Sequence, residues 1–378
     1  MRGSCIGVSG LAELAQLQGG GMRADLIRLC YQCGVCVAAC PVRKVKNLSP
    51  RSIIYGVLTA SPGEKLDHCG VWDCLICNEC FEVCPQNVDF PSFVLSLRED
   101  VGVRREVLAH RGVFTALAEL MAMLDSGIVT SFAGETSDFG EGEYGYFPGC
   151  LDFFDLFMDV DVNFHEIGDA SVKLLNAAGI KPQLLSLKCC GHDALYQGNK
   201  KLFDRLKAFN TQKIKESGVK KLVVSCAECL HTFKKYYELD VEVLHISEVL
   251  SEALKSGTLR LRGDGRTVTY HDPCSLGRHL GIYEAPREAL LLSGVKLVEM
   301  PHSRERAQCC GVSGMMNCND FAKALRLLRL EEAEATGAEV LVTTCPKCVA
   351  HLNCLRREMP EKIETLDLTV FLGRLLDR

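Results

Sequence analysis

Residues 188–191 read Lys188-Cys189-Cys190-Gly191, and a similar stretch returns 120 residues later as Gln308-Cys309-Cys310-Gly311. Neighbouring side chains on an extended chain point apart, so two adjacent cysteines make a poor disulfide and a poor zinc site. Each pair lies within a set of five cysteines: the first set is Cys150, Cys189, Cys190, Cys226 and Cys229, and the second set is Cys274, Cys309, Cys310, Cys345 and Cys348. Five thiols exceed what one tetrahedral metal can use. The two sets therefore predict two large iron–sulfur assemblies in a duplicated domain.

The region from residue 144 to 378 is predicted to be an internal duplication. Cys150 and Cys274 are 124 residues apart, and Cys226 and Cys345 are 119 apart. Short β-branched runs precede the cysteines and alternate with helical stretches such as 201–215 and 321–335, which predicts parallel α/β sheets. We expect two halves, 144–262 and 263–378, with ligands at the carboxyl ends of the strands and a cleft between the halves.

Two further cysteine runs lie nearer the amino terminus. The first run is Cys30-x2-Cys33-x2-Cys36-x3-Cys40-Pro41, and the second run is Cys74-x2-Cys77-x2-Cys80-x3-Cys84-Pro85. This is the bacterial two-cluster ferredoxin pattern, in which the fourth cysteine ligates the other cluster. The predicted ligand groups are Cys30, Cys33, Cys36 and Cys84 for one cubane [4Fe–4S] cluster, and Cys74, Cys77, Cys80 and Cys40 for the other. A pair of zinc knuckles is the alternative, and the Cys-Pro endings disfavour it.

The remaining pattern completes the domain organisation. Residues 1–125 are predicted to be a helical ferredoxin-like domain, with a helix entered through Pro50, another over 91–124 and a short one near 11–17. Residues 126–143, rich in Gly, Ser, Thr and acids, are predicted to be a linker. The fold class is therefore α/β, with an α-helical two-cluster domain before a duplicated domain of parallel α/β halves. The cysteines outside every set are Cys5, Cys69, Cys318 and Cys354.

Composition excludes several classes of protein. The chain has 378 residues, 22 cysteines and a net charge of −5, so it carries no basic footprint for nucleic acid. The first residues lead to no apolar signal-peptide core, which favours metal ligation in a reducing compartment over a secreted disulfide scaffold. No stretch reaches the ~18 apolar residues of a membrane span. We expect a cytoplasmic protein that reaches a membrane only through a partner subunit.

The cysteine pattern resembles the catalytic subunits of heterodisulfide reductase in which both domains are fused. The resemblance covers about residues 25–378 and is carried by both runs, both sets and the stretch His271-Asp272-Pro273-Cys274-Ser275-Leu276-Gly277-Arg278-His279. The Cys-Cys-Gly domain is also found in iron–sulfur subunits of glycolate- and lactate-oxidising enzymes and in thiol:fumarate reductase. The resemblance implies that each five-cysteine set holds a noncubane [4Fe–4S] cluster, although one set could hold zinc, which thiolates suit equally well.

The same resemblance implies a reaction. The two noncubane clusters would reduce the heterodisulfide CoM-S-S-CoB to two thiols, and the two cubane clusters would feed them electrons. The donor would be a flavin-containing subunit or a membrane cytochrome b, since the glycine run Gly19-Gly20-Gly21 lacks the preceding strand of a dinucleotide-binding fingerprint. The alternative is an electron-relay subunit of a glycolate- or lactate-type dehydrogenase. The two runs disfavour a zinc-stabilised binding scaffold.

The anionic disulfide predicts basic side chains near the sets. Arg278 and His279 are favoured because they follow the Cys274 segment directly, and His231 is a further candidate. We predict that Asp272 caps a helix and that the glycine after each cysteine pair gives a cluster room to approach. The other basic candidates beside the cysteines are Lys188, His192, Lys347 and His351.

Overall fold

The computed structural model describes residues 25–59, 70–127 and 138–376. Helices and strands are numbered here in chain order within those residues. The predicted helix near 11–17 and the cysteines Cys5 and Cys69 lie outside them, as does most of the predicted linker. In the described ranges no helix combines the length and the hydrophobicity needed to cross a bilayer.

The amino-terminal part is helical around the two cysteine runs. Its helices are α1 (Val35–Ala39), α2 (Pro50–Thr59), α3 (Glu79–Glu82), α4 (Phe90–Val101) and α5 (Val113–Met123). The helix expected between the runs is present as α2, which begins at Pro50 because the first turn leaves its backbone N–H groups unpaired in any case. It buries Ile53 and Ile54 against the apolar side chains of α4.

The helix predicted over 91–124 is confirmed in α4 and α5, and the prediction is wrong between Val101 and Val113. Helix α4 ends at Val101 because Gly102 has a φ of 80°, and α5 begins only after Gly112, with a φ of 76°. Glycine adopts positive φ at little cost, so both residues interrupt an apolar periodicity that by itself continues. Two 3₁₀ turns, Arg105–Val107 and Ala109–Gly112, connect the helices.

The carboxyl-terminal part contains two parallel four-stranded sheets, which confirms the predicted fold class. The first sheet has the order β2-β1-β3-β4 and the second has the order β6-β5-β7-β8. The strands are β1 (Tyr144–Phe147), β2 (Gln183–Leu184), β3 (Lys221–Val224), β4 (Glu242–His245), β5 (Thr267–His271), β6 (Lys296–Leu297), β7 (Val340–Thr343) and β8 (Glu364–Asp367). Each central strand runs directly into a cysteine segment.

Helices cover the faces of both sheets. In the first half they are α6 (Leu151–Phe157), α7 (His165–Ala177), α8 (His192–Tyr196), α9 (Lys200–Ser217), α10 (Ala227–Tyr236) and α11 (Ile246–Ser256). In the second half they are α12 (Glu284–Leu292), α13 (Asp320–Glu334), α14 (Pro346–Glu358) and α15 (Leu368–Leu376).

The two halves exchange their last helices. Helix α15 packs on α7 of the first half, and α11 packs on α12 of the second. Equivalent polar contacts close both junctions: Ser251 donates to Glu288 at 2.7 Å, and Arg374 pairs with Glu166 at 3.3 Å. One apolar core contains buried residues of both halves, so the duplicated region buries its apolar surface as one unit.

Arg98 of α4 joins the ferredoxin-like region to the first half. Its side chain is fully buried and donates to the carbonyl oxygens of Val71 at 2.9 Å, Cys74 at 2.5 Å and Tyr196 at 2.9 Å. One guanidinium thus fixes the entry to the second run and the end of α8 together. Burial lowers the pKa of Arg98 to about 10, so the group stays charged at neutral pH.

We predict that Arg98→Met destabilises the protein by at least about 3 kcal/mol, because it leaves buried carbonyl groups without donors. Anaerobic urea denaturation measures the change. The control is Arg105→Met, an exposed arginine, which should change stability by less than about 0.5 kcal/mol. Equal effects of the two substitutions would contradict the proposed role of Arg98.

Candidate functional site

The first five-cysteine set converges at the carboxyl end of the first sheet. Cys150 follows β1 and Cys226 follows β3, and each is the residue that begins the next helix. The Sγ atoms of Cys150 and Cys189 are 3.9 Å apart, and those of Cys229 and Cys190 are 3.5 Å apart. All five cysteines line one cavity.

Buried polar side chains hold the backbone of the Cys-Cys-Gly segment. Asn210 of α9 accepts from the Lys188 amide at 2.8 Å and donates to the Cys189 carbonyl at 3.1 Å. Tyr237 donates to the Cys190 carbonyl at 3.0 Å. Gly191 has a φ of 85°, and a Cβ there would lie 2.7 Å from Phe203. The glycine is therefore required by its own backbone conformation and by helix α9.

The second set converges in the same way at the second sheet. Cys274 follows β5, and Cys345 begins α14 directly after β7. The Sγ atoms of Cys348 and Cys310 are 3.6 Å apart, and the thiols of Cys274 and Cys309 interact. Gly311 has a φ of 93°, and a Cβ there would lie 2.9 Å from a backbone oxygen of α13.

The two sets meet at the centre of the duplicated region. The thiol of Cys226 interacts with the thiol of Cys345, the equivalent residue of the other half. Both cysteines cap the amino-terminal ends of helices α10 and α14, whose dipoles favour negative charge at that end. Seven of the ten cysteines of the two sets are buried in one apolar cluster, and Cys189 and Cys274 pack against it.

A buried ion network lies beside this contact. Lys347 pairs with Glu228 at 2.5 Å and also with Asp193. His192 Nδ1 lies 3.2 Å from both carboxylates. Burial opposes ionisation of Asp193, yet Lys347 and His192 hold the pKa of its carboxyl below the usual value. The network joins the Cys-x-x-Cys segments of the two halves through opposite charges.

The eight cysteines of the two runs line two further cavities. One is lined by Cys30, Cys33, Cys36 and Cys84, and also by Cys80. The other is lined by Cys40, Cys74, Cys77 and Cys80. The fourth cysteine of each run thus lies with the first three of the other run.

The chemistry of these cavities fits iron–sulfur clusters. The twenty cysteines of the described residues are all free thiols. Burial raises the pKa of Cys40 to about 11 and raises that of Cys77 further, so these thiols need a bound metal to lose their protons at neutral pH. Dense thiolate donors select soft metals and iron–sulfur clusters over hard cations.

Two of the predicted substrate residues hold the second run against the second half. Arg278 donates to the carbonyl oxygen of Cys77 at 2.6 Å and to that of Ala307. His279 Nε2 lies 2.8 Å from the carbonyl oxygen of Ile76. Both side chains are thereby committed to the contact between Cys77 and the Cys274 segment. This contact places the second ferredoxin-type ligand loop next to the second set.

His231 lies in a cluster of buried rings. Its ring centroid is 4.4 Å from that of His279 and 6.5 Å from that of Tyr196, which in turn is 4.0 Å from His192. Burial, followed by His279 and His192, lowers the pKa of His231 well below its ordinary value, so it is neutral. Among the described residues, His231 Nδ1, Tyr196 OH and His192 Nε2 have no hydrogen-bond partner.

The other candidate side chains have structural partners. Lys188 donates to the carbonyl oxygen of Leu124 and lies 3.8 Å from the centre of the Phe209 ring. The Asp272 carboxylate accepts a hydrogen bond at 2.9 Å from the backbone N–H of Arg304, the first residue of a 3₁₀ turn over Arg304–Arg306, so the predicted capping is confirmed at this turn only. The same carboxylate also pairs with Arg287 at 2.7 Å and 2.9 Å, because that buried guanidinium presents two parallel donors.

Sequence reasoning missed the acidic partners of Lys347. Glu228 and Lys347 occupy the same position in the repeated segments Cys226-Ala227-Glu228-Cys229 and Cys345-Pro346-Lys347-Cys348. Opposite charges at equivalent positions of a duplicated motif are the sequence signal that could have identified the pair of Glu228 and Lys347. Asp193 carried no comparable signal, because it approaches Lys347 only through the fold.

Comparison with known proteins assigns domains to both parts of the chain. A cysteine-rich domain model matches residues 144–234 and again 268–353, and a 4Fe-4S dicluster domain model matches residues 27–88. The two cysteine-rich matches contain the two five-cysteine sets, and the dicluster match contains both runs.

Several known proteins are similar over most of the chain. One subunit of the dihydromethanophenazine:CoB–CoM heterodisulfide reductase from Methanosarcina mazei is 27% identical over 85% of this chain and 87% of its own length. An uncharacterized iron–sulfur protein of Methanococcus maripaludis is 30% identical over 86% of this chain and 67% of its own length. The EtfAB:quinone oxidoreductase of Syntrophomonas wolfei is 27% identical over 88% of this chain and 49% of its own length.

We predict that Lys347→Met destabilises the protein by about 3–5 kcal/mol, because it leaves two buried carboxylates without their cation. The measurement is anaerobic urea denaturation. Adding Asp193→Asn and Glu228→Gln should recover part of the loss, since neutral side chains cost less to bury.

The matched control is Lys323→Met, which removes an exposed pair with Glu358 at 2.6 Å. Exposed pairs contribute at most about 1 kcal/mol. A loss at Lys347 no larger than at Lys323 would show that the buried network does not hold the halves together.

Proposed function

This chain belongs to the family of iron–sulfur proteins in which a 4Fe-4S dicluster domain precedes two cysteine-rich domains, and on that premise we propose that it reduces a heterodisulfide. The substrate is CoM-S-S-CoB, which takes up two electrons and two protons and yields two thiols. The members named above include iron–sulfur subunits of oxidoreductases, so a redox role is common to them.

The observation that carries the proposal is the completeness and contact of the two five-cysteine sets. Neither set lacks a member, and Cys226 meets Cys345 at the boundary between them. A disulfide breaks at a single bond between two sulfur atoms, and two thiol sets side by side suit its division into two thiols. Clusters bound there would supply single electrons to the bond that breaks.

We assign ligands in the same proposal. The first run's three leading cysteines with Cys84, and the second run's with Cys40, hold two cubane [4Fe–4S] clusters, in agreement with the cavities that these residues line. The first and second sets hold one noncubane [4Fe–4S] cluster each, and zinc in one set is the variant of this assignment. The domains are residues 1–125, a linker over 126–143, and the halves 144–262 and 263–378.

Polar groups for the substrate are proposed at the ring cluster. His231 Nδ1, Tyr196 OH and His192 Nε2 are buried, have no partner in the described part of the chain, and lie on rings in mutual contact. Burial raises the pKa of Tyr196 well above its ordinary value, and the nearby Cys274 and Glu228 raise it further. Such atoms are costly to bury alone and suit an incoming polar group. Arg278 and His279 hold the neighbouring loop of the second run in place through the carbonyl oxygens of Cys77 and Ile76.

An electron donor is proposed to dock beside the first run. Cys33 is exposed, and apolar side chains that line the same cavity are exposed as well, namely Leu29 at 61%, Tyr31 at 61% and Val35 at 46%. Clustered exposed apolar residues at a redox centre are typical of a protein interface. The donor is a flavin-containing subunit in the cytoplasm or a membrane cytochrome b, and the latter places this chain at the membrane surface.

The second candidate function is an electron relay in a dehydrogenase complex. The buried ion network of Lys347, Glu228 and Asp193 occupies the contact between the sets, where a substrate would divide. The similarity to the EtfAB:quinone oxidoreductase also favours this function. A relay would need the thiol sets but would make no contact with a disulfide.

We predict rapid oxidation of reduced viologen by the iron-replete, anaerobically purified chain when CoM-S-S-CoB is added. Cys226→Ser should abolish this activity, because it removes a thiol at the boundary of the two sets. Cys318→Ser is the matched control: that cysteine is exposed, lies outside both sets, and should leave the rate unchanged. Viologen absorbance gives the rate.

Assays with glycolate- and lactate-oxidising flavoproteins run alongside. A full iron content with no disulfide-dependent oxidation would refute heterodisulfide reduction and favour the relay. An iron content too low to fill both five-cysteine sets would instead contradict the proposed cofactors. Iron content therefore distinguishes a wrong reaction from a wrong cofactor assignment.

A further inference from the structure

The duplication is broken at two positions beside the second set. His271 ends strand β5, and the equivalent residue at the end of β1 is Phe147. His351 is the third residue after Cys348, and the equivalent residue after Cys229 is Thr232. Two imidazoles in the second half thus replace a phenyl ring and a hydroxyl in the first. Both histidines are buried, at 1% and 6% exposure.

Both imidazoles face the same cysteine. His351 Nδ1 lies 3.6 Å from the Sγ atom of Cys310. The ring nitrogen of His271 and the sulfur atoms of Cys310 and Cys348 lie within 4.8 Å of one another. In the first half, Phe147 has no donor, and the Thr232 hydroxyl donates to the Glu228 carbonyl at 2.7 Å.

Arg329 fixes the tautomer of His271. Its Nε–H donates to His271 Nδ1 at 3.0 Å, and the fully buried guanidinium is held by Glu332 at 2.7 Å and by the His302 carbonyl at 2.9 Å. Since Nδ1 is an acceptor, the proton of the neutral ring is on Nε2. That Nε2 has no conventional partner among the described residues, so the Cys310 sulfur is the acceptor near it.

We propose that His271 and His351 donate hydrogen bonds to the Cys310 sulfur and make the cluster of the second set easier to reduce than that of the first. Donors to a ligand sulfur withdraw charge from it and stabilise the more negative, reduced state. The histidines act through Cys310 and are positioning residues. The inference rests on the proposed occupancy of both sets by iron–sulfur clusters.

The set that has the two histidines also lies next to the second run. Arg278 ties the Cys77 carbonyl to the second half, so the second set is the one that borders the ferredoxin-type loops. Arg278 is also buried near Cys274 and Cys309 and adds positive charge there. The set that borders the loop of the second run is therefore the better electron acceptor of the two.

The test is a redox titration monitored by EPR on the iron-replete chain. His271→Phe and His351→Thr copy the residues of the first half into the second, and each should shift one midpoint potential downward while the other signals stay in place. His271→Gln and His351→Asn keep an N–H near the original nitrogen and should restore most of that shift.

Matched controls in the first half are Phe147→Leu and Thr232→Val, which should leave the shifted signal at its wild-type potential. Unchanged potentials in both histidine variants, with iron content intact, would overturn the inference and leave the proposed function standing. Strong ¹⁴N coupling in pulsed EPR of the wild type would also overturn it, because the histidine would then be a ligand. Absence of a second-set cluster in the wild type would instead refute the proposed cofactors.

Discussion

The pairing of Lys347 with Glu228 and Asp193 is the interaction on which the arrangement of the thiols depends. Lys347 belongs to a cysteine segment of the second half, and its two partners lie within or next to cysteine segments of the first, so the pairing sets the distance between the two sets. Buried charges are tolerated only when they are matched, which makes the contact specific to this register of the halves. A small shift between the halves would leave three ionic groups unpaired. The network thereby keeps Cys226 against Cys345.

Buried arginines also hold the ferredoxin-like region against the duplicated region. Arg98 and Arg278 each reach backbone carbonyl groups of the second run from different sides. Because a guanidinium presents several donors in one plane, a single side chain can satisfy carbonyls from separate segments. The backbone at Cys74 is therefore held by Arg98, and the backbone at Cys77 is held by Arg278.

Duplication followed by divergence accounts for the rest of the site. Tyr146 bonds Ser225 at 2.7 Å and Tyr270 bonds Thr344 at 2.8 Å, so the two halves keep the same polar detail near their cysteines. Glu228 and Lys347 diverged into opposite charges that attract each other. His271 and His351 occupy the positions that Phe147 and Thr232 occupy in the first half, and they place two imidazoles near Cys310. Equivalent scaffolds thus present inequivalent surroundings to chemically similar ligands.

Cysteine spacing and strand–helix alternation are local properties, so the order of the amino acids was enough to predict the candidate cysteine ligands, the duplication and the parallel α/β class. It also predicted the helix after Pro50. It did not predict the break between Val101 and Val113, since the apolar periodicity continues across Gly102 and Gly112. The partners of Lys347, Arg278 and Asp272 became apparent only in the folded chain. Those partners are distant in sequence, and their approach depends on how the two halves and the ferredoxin-like region pack together.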